Sequence, residues 1–564
     1  MSPVPNAIIN LYRAGELAAE LTKFHDVSDR DEQSFVGVCV HLHNDGLIDL
    51  VDIPSQPQFA NIEGHDFFTV QQFYCDAIPD LRTNADALME CCRILIERGG
   101  ADLAANQPNG AFRKWCARNP REGSAIIQRA RAGDHLAKRF VTFAIQASED
   151  VRAAIDFIIE FDDERRLFGM AALAGMGFTD TASAQQSIQT LETFISEAES
   201  DNVRANALHA ASDILKRTKD SGTASRLVIA GSRCAGPSTL HCLAQVIWLQ
   251  QDLLSEEALT AALNALETTS PEHLGTIRTL DLALSRLLTT QRGAIGLNFI
   301  TAKLRDGQLT LEKFPTTKSE LTRNDPNRLY ELIIKWLRSG NAFLCDNADD
   351  LIPFEETNPF DANITLFNLK SAEQLFICRK AIGFLFLRPV TCCSIIVSIL
   401  RGAEPDTEEK IVEMLFDPLL LNYSGSAIEY LKGISVDDPA YAAIQKALSK
   451  HDAYLSGLRA TGTIEELHPS DYERDIVLRR SYDQMRDAQK AAEKQSVLLE
   501  LAHRSTLLYG KRSLAYIQGE NGESRATTLD LHSVGISYEL PRRDIIDPVG
   551  LDYVIRVFRA ERLQ

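Results

Sequence analysis

Asp201-Asn202-Val203-Arg204-Ala205-Asn206-Ala207-Leu208-His209-Ala210-Ala211 is the stretch from which the fold is read. Its small and apolar residues recur at helical spacing behind an Asp-Asn start, so a helix with a core-facing stripe is expected. Looser copies stand at 164–173, 238–247 and 275–284. Aligning Arg166, Arg204, Leu240 and Arg278 gives spacings of 38, 36 and 38 residues. Second helices are expected between them, as at 184–198 and 255–269. A helix pair repeated at this period predicts an α-solenoid, in which each pair buries its stripe against the next.

The arginine followed by Ala-x-Ala-Leu, with Asp201-Asn202 leading into the helix, resembles HEAT or armadillo repeats over residues 150–310. The Leu240 copy lacks the arginine. The resemblance implies an array that works as a binding scaffold rather than as a catalyst.

Outward from the array the chain stays mainly α. Residues 1–149 read as an N-terminal helical domain, with apolar stripes at 7–24, 30–43, 84–98 and 133–148 and a loop at 53–64. A polar segment at 306–326 is expected to separate the repeats from a second helical domain, 327–470, which carries a long polar insertion at 341–363. The last part, 471–564, is expected to be a small α+β module. It would hold one long charged helix over 471–508, strands at 513–518 and 524–530 around Asn521-Gly522, a third strand at 534–540 and a closing helix at 551–560. A long helix leading into a small sheet resembles the C-terminal domain of the Gre transcript-cleavage factors. Versions of that domain stand beside helical repeats in bacterial conflict proteins, so the resemblance implies a role in bacterial defence.

The 564 residues are 45% hydrophobic and 24% charged, which excludes a disordered or collagen-like chain. The formal net charge of −19 repels phosphate backbones, so a nucleic-acid site has to be a local basic patch. The N-terminal residues have neither the cationic region nor the apolar run of a signal peptide. Eleven cysteines, including the adjacent pairs Cys91-Cys92 and Cys392-Cys393, sit in apolar sequence and read as buried reduced thiols. A cytoplasmic protein is expected. Residues 381–400 are mostly apolar, but Arg388-Pro389 near their middle points to two buried helices meeting at the proline, not to a membrane span.

Several groups of residues are candidates for chemistry. Cys39, His41, His43 and Asp45 form the leading metal candidate. His-x-His-x-Asp resembles the opening of the metallo-β-lactamase metal motif, although Gly46 stands where that family has a further histidine. On the helix expected here, residues two apart diverge, so no metal and no other cofactor are expected. The lone thiols Cys75 and Cys116, the acidic group Asp346, Asp349, Asp350, Glu355 and Glu356, and Glu465, Glu466 and His468 are weaker candidates. Gly510-Lys511-Arg512-Ser513 lacks the first glycine of a phosphate loop, with Ser505 in its place. No catalytic residue is assigned.

Arg113, Lys114, Arg118, Arg121, Arg129, Arg131, Lys138 and Arg139, with Trp115 and Phe140 among them, are the candidate nucleic-acid contacts. Tyr516, Tyr538, Arg542, Arg543, Tyr553 and Phe558 are the candidate contacts to a protein partner, because aromatic and arginine side chains are enriched at interface hot spots. The function expected is a non-enzymatic scaffold for a protein partner. Alternatives are a nucleic-acid-binding component, using the basic patch at 113–139 and a second one at the C-terminus (Arg542, Arg543, Arg556, Arg559 and Arg562), or an enzyme with a cryptic site at Cys39, His41, His43 and Asp45 or at the acidic group.

Overall fold

The quoted stretch forms the helix Asp201–Thr218, started by Ser200, whose hydroxyl accepts from the Val203 amide. Ala205, Ala207, Ala210 and Ala211 are all buried on it. Their small side chains let the helices Asp163–Gly175 and Pro237–Gln250 pack along either flank. The computed structural model describes residues 5–23, 34–178, 180–323, 326–352, 359–360, 364–462, 470–495, 512–518, 524–530 and 539–563. The chain divides into two compact units, 1–303 with 313–317 and 304–312 with 318–564. Residues 149 and 150 both fall in the first unit.

The first unit is built of two layers of helices. In one layer, Gln107–Arg118, His135–Ser148, Asp163–Gly175, Asp201–Thr218, Pro237–Gln250 and Leu274–Leu288 each pack against the next. Arg166, Arg204, Leu240 and Arg278 all lie in this layer, so the spacing read from the sequence is the step from one layer helix to the next. Val151–Glu160, Thr181–Glu197, Ser221–Ser232 and Glu256–Leu266 follow one another in the second layer. Paired helices approach closely where Gly169 faces Val151–Glu160: a Cβ there would stand 2.5 Å from the Ala154 carbonyl oxygen. The arrangement is compatible with a helical-repeat solenoid. Upstream, the stripes at 84–98 and 133–148 form Ala85–Gly99 and His135–Ser148. Gly64–Ala77, Gln107–Arg118 and Pro120–Arg131 are additional helices. The last two carry proline in their first turn, where no intrahelical amide is needed.

Hydrogen bonds from side chains fix each repeat to the next. The Asp201 carboxylate accepts from the amides of Gly236 (2.9 Å) and Ser238 (2.7 Å) and from the Thr239 hydroxyl (2.6 Å). It thereby caps the N-terminus of Pro237–Gln250. Asp281 does the same for Pro315–Arg323, accepting from the amides of Thr316 (2.9 Å) and Thr317 (2.7 Å). Arg204 donates to Ala198 O in its own turn and to Cys234 O (2.9 Å) in the following one. Arg278 is exposed, so the fourth copy does not reuse that contact.

The second unit repeats the plan. Pro326–Ser339, Ser371–Leu385, Pro405–Met414 and Tyr441–Thr461 pack in succession. Arg338 to Glu373, Arg401 to Asp438 and Lys446 to Glu408 tie neighbours 35 to 38 residues apart. The apolar run around Arg388-Pro389 is two helices, Ser371–Leu385 and Pro389–Leu400, with the proline opening the second. Among the described residues no helix is long and apolar enough to cross a membrane. The polar insertion at 341–363 is partly helical. Asn341 accepts from the Leu344 amide and starts Ala342–Asp350, which buries Leu344, Cys345 and Ala348.

The protein is mainly α, and the C-terminal α+β module is not supported. Arg512–Gln518 and Ser524–Asp530 pair antiparallel, but a single two-stranded ribbon cannot bury a core of its own. The third strand expected at 534–540 lies largely outside the described residues, and its described end, Glu539 and Leu540, is not strand. The closing helix, Pro548–Ala560, packs on Ser371–Leu385 of the helical body. The long charged helix is described over Asp471–Gln495, with its side chains almost wholly exposed.

Burial pushes the Asp201 carboxyl up, but the hydrogen bonds from Thr239, Ser238 and Gly236 outweigh it and hold its pKa below the usual aspartate value. Asp201→Asn should therefore destabilise the first unit by about 1–3 kcal/mol in urea denaturation at pH 7. A lowered folded-state pKa gives stability that is complete above the unfolded value of ~3.9 and is lost as pH falls through the folded value. The substituted chain should lack that part of the acid sensitivity.

Candidate binding groove

Three consecutive layer helices of the first unit leave a groove of about 470 Å³ on their outer face. Asn202, Asn206 and His209 come from Asp201–Thr218, Ser238, His241 and Gln245 from Pro237–Gln250, and Thr276 from Leu274–Leu288. The Asp201 clamp sits beside Asn202 and fixes the turn that carries Ser238, so the clamp sets the width of the groove. Asn206 Nδ2 donates to Asn202 O (2.8 Å). His241 bridges Gln245 on its own helix (3.1 Å) and Thr276 on the next (3.4 Å). His209 lies 3.5 Å from Asp213.

No Lys, Arg, Asp, Glu, Phe, Tyr or Trp lines this groove, although the chain is 24% charged. Its polar side chains are amides, hydroxyls and imidazoles, which donate and accept. Without cations it offers no hold for phosphate. Amides and imidazoles match a neutral ligand that alternates N–H and C=O groups. Sequence reasoning passed over this set. A usable signal was there: His209, His241 and His273, all on the groove, stand 32 residues apart.

The metal candidate does not converge. On the helix Phe35–Asn44, His41 points to solvent and pairs with Asp45 (3.3 Å), while His43 is buried and accepts from the Leu50 amide through Nδ1 (3.2 Å). Cys39 is buried, and burial pushes its thiol up to about 12. Among the described residues no group of three or more His, Cys, Asp or Glu side chains could hold a metal ion. Burial likewise pushes the thiols of Cys75 and Cys116 up to about 12, away from the thiolate a nucleophile needs. Of the acidic group, Asp349 pairs with Arg388, Asp350 is half-buried and Asp346 is exposed. Glu355, Glu356, Glu465, Glu466 and His468 lie outside the described residues.

The basic cluster is spread over three helices, and most of its charge is already matched. Arg129 pairs with Asp86 and Asp134 (2.6 Å each), Arg131 with Asp156 (2.8 Å) and Arg139 with Glu97 (2.6 Å). Arg118 pairs with Asp80, and Lys138 lies 3.9 Å from Glu164. Arg113, Lys114 and Arg121 are exposed. Of the partner candidates, Arg543 is held by Asp417 (3.0 Å) and Phe558 is half-buried. Arg542 and Tyr553 face outward. The side chain of Tyr516 and all of Tyr538 lie outside the described residues.

Neither a scan against protein-family models nor searches of characterised proteins and of solved structures returns a match. Because Arg129 joins two helices through two carboxylates, Arg129→Ala should lower unfolding free energy by ~1 kcal/mol. Arg113→Ala should change it by less than ~0.5 kcal/mol. Equal losses in paired urea titrations would return the cluster to the status of a plain solvated face.

Proposed function

We propose that the protein is a non-enzymatic helical-repeat scaffold that binds an extended segment of a protein partner in the groove of its first unit. The supporting observation is a lining of uncharged side chains that donate and accept, carried on three helices at regular steps. Neighbouring packed helices stand roughly 8–10 Å apart, about three residues of extended chain at ~3.3 Å each. A peptide laid across them would meet Asn206, then His241 and Gln245, then Thr276, at matching intervals. The likeness of residues 150–310 to HEAT or armadillo arrays fits this reading. No cofactor takes part in it.

Nine of the eleven cysteines are buried and none is paired, which supports a reducing, cytoplasmic setting. A nucleic-acid-binding role is the weaker reading, because five of the eight candidate cations already face carboxylates. A place in bacterial defence rests on a likeness to a C-terminal module that the fold does not support, and it adds nothing to the proposal.

Co-purification of the tagged full chain from its native cells tests the reading. A stoichiometric protein partner should persist between ~0.1 and ~0.5 M salt, since screening does little to uncharged contacts. Asn206→Ala with Gln245→Ala should reduce its recovery at least about tenfold, roughly 1.4 kcal/mol, while leaving the unfolding midpoint unchanged. If the chain instead retains nucleic acid at low salt only, and Arg113→Glu with Lys114→Glu and Arg121→Glu abolishes this, the proposal is wrong.

A further inference from the structure

The second unit presents a different surface. Along Ser371–Leu385 lies the chain's own C-terminal helix, Pro548–Ala560, and a set of polar contacts pins its end. Lys380 is fully buried, and its ammonium donates to the carbonyls of Arg559 (2.6 Å) and Glu561 (2.7 Å). Those carbonyls end the helix, where its dipole favours a cation. Arg379 pairs with the Glu561 carboxylate (2.8 Å). Arg559 donates back to Gly383 O (2.5 Å) and lies 5.2 Å over the Phe384 ring. A Cβ on Gly383 would stand 3.2 Å from the Arg559 nitrogen, so glycine lets the two backbones touch.

Further along the tail, the Glu539 carboxylate accepts from the amides of Gly425 (2.7 Å) and Ser426 (2.8 Å) and caps Ser426–Lys432 from outside. Apolar anchoring is slight. Of the C-terminal helix only Leu551 is fully buried; Val554, Ile555 and Phe558 are half-buried, and Val549 and Tyr553 are 79% and 69% exposed. Lys380, Gly383, Phe384 and Arg379 all belong to the helix underneath, so the receiving surface is complete without the tail. The polar contacts can be exchanged for water when the tail leaves, at little net loss. Burial holds the Lys380 pKa below the usual lysine value, a penalty that hydration would relieve.

We infer that this face of Ser371–Leu385 is a binding site for the C-terminal end of an amphipathic helix, and that residues 539–563 are its tethered, exchangeable ligand. A partner helix whose last turn exposes its carbonyls and is followed by an acidic residue fits the same place. The site is separate from the groove of the first unit, and its test does not depend on that reading.

Two measurements on the full chain decide it. In hydrogen exchange, the amides of 548–560 should exchange at least tenfold faster than those of 371–385, because the tail opens on its own. A fluorescein-labelled peptide of residues 539–563 should bind the full chain carrying Glu539→Ala and Arg543→Ala at least tenfold more tightly than the unaltered chain. In that variant the tethered copy competes less, while Lys380 and Gly383 are untouched. Equal protection of the two helices, or no peptide binding to a variant with an unchanged circular-dichroism spectrum, would show the tail to be a fixed part of the core and overturn the inference.

Discussion

One kind of bond organises this protein: a charged or polar side chain on one helix grips the turn that starts the next helix of its layer. Asp201 is the fullest case, its carboxylate accepting from the amides of Gly236 and Ser238 and from the Thr239 hydroxyl; the Asp281 carboxylate accepts from the amides of Thr316 and Thr317, while the Thr317 hydroxyl donates to the Asp281 main-chain carbonyl. In a stacked array each repeat touches only its neighbours, so no distant contact can correct an error in a single step. Apolar stripes supply the attraction but tolerate sliding. A carboxylate bound to named amides does not, because a shift of about one ångström breaks hydrogen bonds that have a narrow distance range. The groove inherits its geometry from this constraint, since Asn202 and Ser238 adjoin the residues Asp201 joins.

The same economy explains what became of the charges. In sequence the cations at 113–139 look like a patch, because sequence distance brings them together. In the fold, Arg129 and Arg139 meet Asp86 and Glu97 on Ala85–Gly99, and Arg131 meets Asp156 on Val151–Glu160. Partners some 25 to 43 residues away are invisible to a window of local composition. An acidic chain built from helical pairs has carboxylates at most such junctions. The arginines serve as ties between helices, and the net charge of −19 survives on the remaining surface.

Much of the architecture was legible because it is periodic. Arg166, Arg204, Leu240 and Arg278 marked one layer, and the Pro389 break between two apolar helices was read from steric rules alone. The repeat beyond 310 was missed because its ties use different residue types, such as Arg338 with Glu373 and Arg401 with Asp438, which share no local motif. Gln107–Arg118 was missed because Pro108 and Gly110 near its start resemble a loop. The C-terminal module was over-read. Alternation at 513–530 signals a strand pair, but it cannot say whether a core exists for that pair to cover. The groove was hardest to see, since Asn, Gln and His on an exposed helix face look like ordinary solvated residues until three helices align them.

The two units answer one physical question in opposite ways. A layer helix in a stacked array always has one face turned away from its paired layer. On Asp201–Thr218 that face carries Asn202, Asn206 and His209, which water solvates at no penalty, and it stays open. On Ser371–Leu385 the corresponding face carries Phe376, Lys380, Gly383 and Phe384, ring surface and bare glycine backbone beside one ammonium. The tail's carbonyls over Lys380 cover it. A cover that buried several large apolar side chains would be permanent. One that fully buries only Leu551, half-buries Val554, Ile555 and Phe558, and is pinned by hydrogen bonds and an ion pair is closer in character to a bound ligand than to a structural helix.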